Sequence, residues 1–245
     1  MRTVCTIEAR MTSSRLPGKV LLPAAGKPLL EHMIERLQRV EQVDEIVIAT
    51  TEDASSEPLE ALAKRLGVGC FRGSEDDVLA RVLGAARAYG AELIVETTGD
   101  CPLIDPATVD LVISRFHDGD VDYCANNLER TYPRGMDAQA FPTAVLAEVA
   151  SLTDDPSDRE HVSLYIYEHP ERYRLRSVVS DRPETGALRL TVDTPEDYEL
   201  IKTVFEELYP AKPDFSLQDI LALFDARPEL ADINRHIEQK TVRPA

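Results

Sequence analysis

The stretch Glu8-Ala-Arg-Met-Thr-Ser-Ser-Arg-Leu-Pro-Gly-Lys19 is the part of the chain that decides the fold. It follows residues 3–7, a short apolar run that is typical of a first strand. The stretch carries three cations, three hydroxyl side chains and a Pro-Gly turn. Arginine forks and lysine ammonium groups bind phosphate oxygens, and hydroxyls with free backbone N–H groups fill the gaps between them. A loop of this kind after a strand predicts a binding site for a polyphosphate.

The stretch differs from the common phosphate-binding loop, which needs G-x-x-x-x-G-K followed by Ser or Thr. Here Gly18 is the only glycine before Lys19, and Val20 follows the lysine. The alternative is an ordinary basic surface loop, because charged loops are usually only solvated. The formal net charge of -17 argues against that alternative, since a tight positive cluster runs against the background of the chain.

Strand and helix patterns alternate along the first half of the chain. Predicted strands cover residues 3–7, 45–51, 68–72 and 93–97, and predicted helices cover residues 30–37, 59–66, 78–86 and 106–116. This alternation predicts a three-layer α/β/α, Rossmann-like fold with a mostly parallel sheet and right-handed crossovers. Ligands of such sheets bind outside the carboxyl ends of the strands, which is where the stretch 8–19 lies.

Two aspartates share one local pattern in different parts of the chain. Asp100 and Asp193 each follow an apolar strand-like run, and each is followed two positions later by proline. Carboxylates that converge at strand ends suit Mg²⁺, which takes one or two carboxylates together with phosphate oxygens and water. Two structural alternatives stay open: Asp100 as a plain turn residue, and Asp193 as part of a helix start capped by Thr194 and Asp197.

The composition excludes several classes of partner. The acidic balance and the lack of a basic stripe argue against nucleic acid. No apolar run is long enough to span a bilayer, and no basic amphipathic helix favours a membrane surface. The four cysteines are scattered without a C-x-x-C pair, which argues against disulfides and zinc and favours a reducing cytoplasm.

The pattern A-R-x-x-S-x-R-L-P-G-K at residues 9–19, with Gly26-Lys27-Pro28-Leu29 after it, resembles the cytidylyltransferases that activate sugar acids. These are the CMP-KDO and CMP-sialic acid synthetases, and the chain looks most similar to the spore-coat polysaccharide biosynthesis protein F-like family. The likeness extends beyond Val192-Asp-Thr-Pro-Glu-Asp197. It implies a GT-A-like nucleotidyltransferase that moves CMP from CTP to a small acceptor and releases pyrophosphate.

The resemblance also implies roles for individual residues. The first loop would bind the CTP triphosphate, and two aspartates would hold Mg²⁺. A segment that resembles the base-binding region could read cytosine, although Ser74 with Asp77 also resembles a helix cap. The implied residues are Ala9, Arg10, Ser13, Arg15 and Lys19 for triphosphate, Arg72, Ser74 and Asp77 for the base, Asp100 and Asp193 for metal, and Arg15, Lys19, Asp100 and Asp193 for catalysis.

After residue 121 the regular alternation of predicted strands and helices ends. Predicted strands cover residues 136–141, 173–180 and 188–192, and predicted helices cover residues 142–151, 157–168 and 196–209. No Gly/Ser-rich linker intervenes, so we predict one domain over residues 1–245, with a nucleotide-binding half at 1–120. The half at 121–245 would serve the acceptor and, because it is extended, a homodimer contact. One departure is Gln139, where the resembled family usually has an acidic residue.

Two other functions remain open at this stage. A glycosyltransferase that uses a nucleotide sugar can share the same fold, so fold alone does not decide between them. Such enzymes often carry an Asp-x-Asp metal motif, and Asp120-Val-Asp122 is the candidate here. The other possibility is a protein that binds nucleotide without catalysis.

Overall fold

The computed structural model describes residues 1–240 and 242, so residues 241 and 243–245 of the predicted domain lie outside the described part. In chain order the strands are β1 (Thr3–Glu8), β2 (Pro23–Ala24), β3 (Lys27–Pro28), β4 (Glu45–Thr51), β5 (Gly69–Gly73), β6 (Leu93–Thr98), β7 (Tyr123–Ala125), β8 (Gln139–Pro142) and β9 (Leu175–Ser177). Among the described residues, seven of them form one sheet in the order β5-β4-β1-β6-β8-β7-β9. Only β8 runs antiparallel to its neighbours, which confirms the mostly parallel sheet.

Helices cover both faces of this sheet. They are α1 (Leu29–Leu37), α2 (Glu57–Leu66), α3 (Val78–Ala88), α4 (Pro106–His117), α5 (Thr143–Leu152), α6 (Pro156–Glu160), α7 (Leu164–Glu168), α8 (Pro195–Leu208) and α9 (Leu217–Ala226). Short 3-10 helices lie at Lys19–Leu21, Ala54–Ser56, Pro183–Ala187 and Pro228–Asp232. In the described residues, none of the helices combines the length and apolar character needed to cross a membrane.

The core forms two layers because successive strand residues point to opposite faces. On β1, Cys5 and Ile7 pack into the layer that also buries apolar residues of α1, α2, α4, α8 and α9. Val4 points the other way, into the layer with α3, α5 and α7. The predicted α/β/α layering is therefore confirmed.

Helix ends in the first half follow their sequence signals. Asp105 accepts a hydrogen bond from the Thr108 amide at 3.0 Å and caps α4, whose first residue is Pro106. Gly67 ends α2 in the left-handed region at φ +70°, a conformation that favours glycine. The predicted strands and helices of this half all occur, with ends shifted by a few residues at most.

The second half departs from prediction in three places. The helix predicted at 157–168 is two short helices, because Val162 adopts φ +47°, which interrupts the helical conformation between them. The strand predicted at 188–192 was also wrong: only an isolated bridge joins Arg134 to Arg189. The amide of Val192 donates to Asp100 O at 2.8 Å, so this segment bonds to a loop rather than to a sheet ladder. The strand predicted at 173–180 shrinks to Leu175–Ser177.

Candidate active site

The centre of the candidate site is the Lys19 ammonium group, which contacts both aspartates singled out from the sequence. Lys19 Nζ lies 2.7 Å from Asp193 Oδ1 and 3.5 Å from Asp100 Oδ2. Arg15 adds a second cation, with its Nη2 3.1 Å from the same Asp193 oxygen. The structure therefore brings together all four residues predicted for catalysis, at the carboxyl edge of β1 and β6.

Backbone geometry holds the two aspartates beside each other. The amide of Gly99 donates to Glu8 O at 2.9 Å, which ties the end of β6 to the end of β1. A Cβ at Gly99 would lie 3.1 Å from that same carbonyl oxygen and 3.0 Å from Ala9 Cβ, so glycine permits the close approach. The bond from the Val192 amide to Asp100 O then brings the segment before Asp193 against the same loop.

The sequence left two other roles open, Asp100 as a turn residue and Asp193 as part of a helix cap, and the structure bears these out only in part. Thr194 and Asp197 form the capping box of α8, with Asp197 Oδ2 accepting from the Thr194 amide at 3.1 Å. The side chain of Asp193 therefore takes no part in the cap, and it faces Lys19. Asp100 does take part in its turn, because Thr98 Oγ1 donates to Asp100 Oδ1 at 2.6 Å. Its second oxygen faces Lys19.

A buried arginine that sequence reasoning missed holds the second oxygen of Asp193. Arg189 Nη2 donates to Asp193 Oδ2 at 2.7 Å, and its Nε donates to Asp197 Oδ1 at 2.9 Å. Asn234 Nδ2 completes the network with a 2.8 Å bond to Asp197 Oδ1. The i, i+4 spacing from Arg189 to Asp193 was visible, but it suggested nothing because residues 188–192 were read as a strand.

The electrostatics of the centre follow from these contacts. Burial alone would lower the pKa of Lys19, but the charges of Asp100 and Asp193 outweigh burial and raise it. Burial would likewise raise the pKa of Asp193, and the charges of Lys19, Arg15 and Arg189 overcome that effect and lower it. Lys19 is thus held as a cation and Asp193 as an anion.

The remaining predicted triphosphate residues lie in the same loop with different surroundings. Arg10 Nη1 lies 3.3 Å from Glu75 Oε1, an acid on the loop before α3. The amide of Ala9 donates to Ala49 O at 3.3 Å and so continues the ladder between β1 and β4. Ser13 is half-buried. Nucleotide contacts by these three residues stay a prediction.

The three residues predicted to read the base have structural partners. Arg72 donates to the carbonyl oxygens of Glu52 and Asp53 at 2.7 and 2.9 Å. Ser74 is not the cap of α3, as the sequence suggested. Asp77 is the cap, with Oδ1 accepting from the Ala80 amide at 2.9 Å, while Ser74 Oγ accepts from the Asp77 amide. Base recognition here stays a prediction.

The Asp-x-Asp motif lies at the opposite end of the strands from the candidate site. Asp122 directly precedes β7, whose Ala125 aligns with Gln139, which in turn aligns with Glu96 of β6. Asp122 therefore sits at the level where β6 begins, whereas Asp100 follows the end of β6. Asp120 and Asp122 both pair with Arg174. This position removes the sequence feature that favoured a glycosyltransferase.

A second acidic pair lies beneath the site, on the α3 side of the sheet. Glu8 Oε1 and Glu96 Oε2 are buried and have no hydrogen-bond partner within the described residues. Burial raises the pKa of Glu8 to about 7 against the opposing charge of Arg81, and burial together with the charge of Glu8 raises the pKa of Glu96. Sequence reasoning missed this pair, because a glutamate in a strand usually faces solvent.

The buried pair Glu8 and Glu96 explains why residue 139 is a glutamine, where the resembled family usually has an acidic residue. Gln139 lies directly across from Glu96, and its Oε1 accepts hydrogen bonds from Tyr123 Oη at 3.1 Å and Ser163 Oγ at 2.9 Å. An amide makes these bonds without adding a negative charge beside Glu8 and Glu96. The acidic residue nearest to Gln139 in the sequence is Asp137, two positions earlier, and it is ion-paired with Arg130.

The carboxylate oxygens of Asp100 and Asp193 suit a hard divalent cation. Among residues 1–240 and 242, no group of three or more His, Cys, Asp or Glu side chains forms a complete metal cage. Mg²⁺ does not need one, because it usually keeps several waters and takes one or two carboxylates together with substrate phosphates. Asp100 and Asp193 offer those two carboxylates, both in contact with Lys19 Nζ.

A three-layer fold with a cation-rich loop and two aspartates at its carboxyl edge is the arrangement expected of a nucleotidyltransferase. The chain belongs to the cytidylyltransferase family, because residues 4–219 match the family model described as cytidylyltransferase. It is therefore an enzyme of that class, and the resemblance noted in the sequence is confirmed.

Three known proteins illustrate the relationship. The spore coat polysaccharide biosynthesis protein SpsF of Bacillus subtilis is 34% identical over 235 residues, covering 92% of this chain and 95% of that protein. A cytidylyltransferase structure from Leptospira borgpetersenii is 34% identical with a TM-score of 0.89, covering 98% of this chain and 100% of that one. CMP:2-keto-3-deoxy-manno-octonic acid synthetase, solved with CTP, shares the fold at 22% identity and a TM-score of 0.64, covering 85% and 100%.

Proposed function

We propose that this cytidylyltransferase moves CMP from CTP to the hydroxyl group of a small acidic acceptor, with Mg²⁺ held by Asp100 and Asp193. The observation that carries the proposal is the convergence of Lys19, Asp100 and Asp193 within 3.5 Å. These groups come from the first loop, from the loop after β6 and from the segment before α8, which lie far apart in sequence. Neighbours named for polysaccharide biosynthesis and for a CTP-bound sugar-acid synthetase support this substrate class.

The side chains would act mainly by position and charge. Phosphoryl transfer spreads negative charge over phosphate oxygens, so catalysis consists largely of orienting the reactants and stabilising that charge. Lys19 and Arg15 would contact the phosphates that leave as pyrophosphate, and each gives up a contact with Asp193 when it does so. Mg²⁺, when bound, supplies further charge neutralisation and favours deprotonation of the attacking hydroxyl.

The direct test is pyrophosphate release from CTP, UTP, ATP and GTP with Mg²⁺ and a panel of acceptors. The panel contains 3-deoxy-manno-octulosonate, N-acetylneuraminate and sugar phosphates. We expect CTP-dependent and Mg²⁺-dependent release with at least one acid. Release of a nucleoside diphosphate from a nucleotide sugar would instead indicate a glycosyltransferase, and tight CTP binding without turnover would indicate a binding protein.

We also propose a cytoplasmic homodimer. All four cysteines are free thiols, which supports a reducing compartment. Leu152 and Val179 in the second half of the chain are 40% and 52% exposed, which makes them candidates for contact with a partner. Light scattering coupled to gel filtration measures the mass in solution, and a value of one chain would refute the dimer.

A further inference from the structure

Glu75 is an acid that contacts the loop predicted to bind a triphosphate. Its Oε1 accepts hydrogen bonds from Thr12 Oγ1 and, at 3.3 Å, from Arg10 Nη1. Asp100 and Asp193 contact the other cations of this loop, and their proposed role is to hold the metal. Glu75 has no such role, yet its negative charge repels a triphosphate bound nearby. Its position therefore requires another explanation.

A buried arginine holds the backbone that carries Glu75. Arg81 on α3 is 3% exposed, and its Nη1 donates to Ser74 O and, at 3.3 Å, to Glu75 O. Gly73 leaves room for this side chain, because a Cβ there would lie 3.1 Å from Arg81 Cγ. Hydrogen bonds from a charged donor are stronger than neutral ones. Arg81 therefore fixes the segment from inside the molecule.

Arg81 is itself held at the end of β1. Burial lowers its pKa, and the charge of Glu8 acts in the opposite direction and favours the cation. Glu8 is the last residue of β1, and Arg10 and Thr12 follow it by two and four positions. The contacts therefore form a closed path, from Glu8 through Arg81 and Glu75 back to the loop that begins at the same strand end.

The contact between Glu75 and Arg10 contributes little to stability. The two side chains are 38% and 44% exposed, and exposed ion pairs add little to the free energy of folding. The contact does restrict the side chains of Arg10 and Thr12, which would otherwise adopt many rotamers. Ordering these donors before the nucleotide arrives reduces the conformational entropy that is lost on binding. Positioning of the loop is therefore a role that this contact can fill.

We propose that Glu75 is a positioning residue, which holds Arg10 and Thr12 where they donate to the phosphates that leave as pyrophosphate. Arg81 supports it by fixing its backbone. A guanidinium has several N–H donors, and Glu75 receives a bond from one nitrogen, so Arg10 keeps donors for phosphate. This inference rests on the proposed function, because it concerns how the same loop binds CTP. The segment with Glu75 is also predicted to read the base, so the experiment must exclude a direct contact with cytosine.

The first experiment is hydrogen–deuterium exchange of the nucleotide-free enzyme, read by peptide mass spectrometry. We expect the amides of residues 9–18 to exchange several-fold faster in Glu75→Ala and in Arg81→Gln than in the wild type. Asp76→Ala is the matched control, since it removes the same charge from an exposed position in the same segment, and it should leave the exchange unchanged. Wild-type exchange in Glu75→Ala would overturn the proposal. If Arg81→Gln does not fold, Glu75→Ala decides alone, because its side chain is partly exposed.

The second experiment compares CTP with CMP by calorimetry in the presence of Mg²⁺. It is run at pH 8, above the pKa of about 7 that burial gives Glu8, so that Glu8 carries its charge. In Glu75→Ala we expect the dissociation constant of CTP to rise about three- to tenfold, the usual effect of losing one or two hydrogen bonds. CMP lacks the two outer phosphates, so its affinity should not change. Asp76→Ala should not weaken either ligand. Equal weakening of CMP, or tighter CTP binding in Glu75→Ala than in Asp76→Ala, would overturn the proposal.

A double variant tests whether Arg81 acts through Glu75. Arg81→Gln combined with Glu75→Ala should bind CTP no more weakly than Glu75→Ala alone, because the two residues belong to one chain of contacts. Additive losses would overturn the role assigned to Arg81. If the wild type itself fails to bind CTP, the proposed function fails, whereas the exchange rates of the nucleotide-free variants still decide whether Glu75 orders the loop.

Discussion

Lys19 and Asp193 are 174 positions apart in the chain, yet Lys19 Nζ lies 2.7 Å from Asp193 Oδ1. Asp100 Oδ2 lies 3.5 Å from the same nitrogen, so one ammonium group links two carboxylates that would otherwise repel each other. This arrangement places the positive charge where a triphosphate and a cation would meet. It makes Lys19 the residue whose removal should affect the site most strongly.

Lys19→Ala should reduce kcat/KM by roughly 10²–10³, the usual effect of losing a group that stabilises charge in the transition state. The fold should persist, as judged by circular dichroism, because Lys19 contacts the site rather than the core. Lys27→Ala is the matched control: Lys27 pairs with Glu35 on α1 and has no predicted role. Wild-type rates in Lys19→Ala would exclude Lys19 from the reaction.

Arg189→Gln should destabilise the protein by about 3–5 kcal/mol, because it leaves the buried Asp197 carboxylate without its cation. Arg189 is 8% exposed and Asp197 is fully buried, so water cannot replace the lost partner. Arg182→Gln removes an exposed pair with Asp225 and should change stability little. Urea denaturation measures both variants, and equal midpoints for the two would contradict this role of Arg189.

Stability should fall as the pH rises from about 4.5 to about 7. The folded state holds the proton of Glu8 up to a pKa of about 7, whereas the unfolded chain releases it near the ordinary value of 4.5. Protonated Glu8 therefore favours the folded state below this window, and that contribution is lost as the pH rises through it. The size of the effect is on the order of 3 kcal/mol.

Glu8→Gln should flatten this dependence, since the amide stays neutral at every pH. Urea denaturation at several pH values across the window measures the slope. Glu160→Gln, at an exposed position on α6, is the control and should keep the wild-type slope. An unchanged slope in Glu8→Gln would show that the Glu8 carboxyl is not held protonated in the folded state.

Gly135→Ala should destabilise the protein by about 3 kcal/mol or more, because a positive φ and a backbone clash both oppose a side chain there. The added Cβ would lie 2.4 Å from Leu190 O. Gly67→Ala also has positive φ but meets nothing within 4 Å, so it should cost only about 1 kcal/mol. Thermal melts of the two variants test the difference, and similar melting temperatures would contradict it.

Local patterns predicted much of the fold and the core of the site. The strand before residue 8, the cap at Asp105 and the left-handed Gly67 are each encoded within a few residues, so the sequence showed them. Asp100 was found because parallel strands bring their carboxyl ends to one edge. Asp193 was found through the local pattern that it shares with Asp100, although the strand predicted before it does not form. The break at Val162 was missed, because a β-branched residue rarely adopts positive φ.

Contacts between distant segments could not be predicted in this way. Asn234 bonds to Asp197 across 37 positions, and nothing local marks either residue for the other. Glu8 and Glu96 become neighbours only through strand register, which pairs Glu8 with Thr98 and Thr6 with Glu96. Register depends on how the whole sheet packs, so the buried acidic pair required the three-dimensional structure.

The most direct test of the account is binding of Mn²⁺, a spectroscopic substitute for Mg²⁺, measured by electron paramagnetic resonance with saturating CTP. We predict one bound Mn²⁺ per chain in the wild type, and at least about tenfold weaker binding in both Asp100→Asn and Asp193→Asn, because each loses a charged oxygen ligand. Wild-type Mn²⁺ affinity in either variant would contradict the claim that these two aspartates hold the metal together.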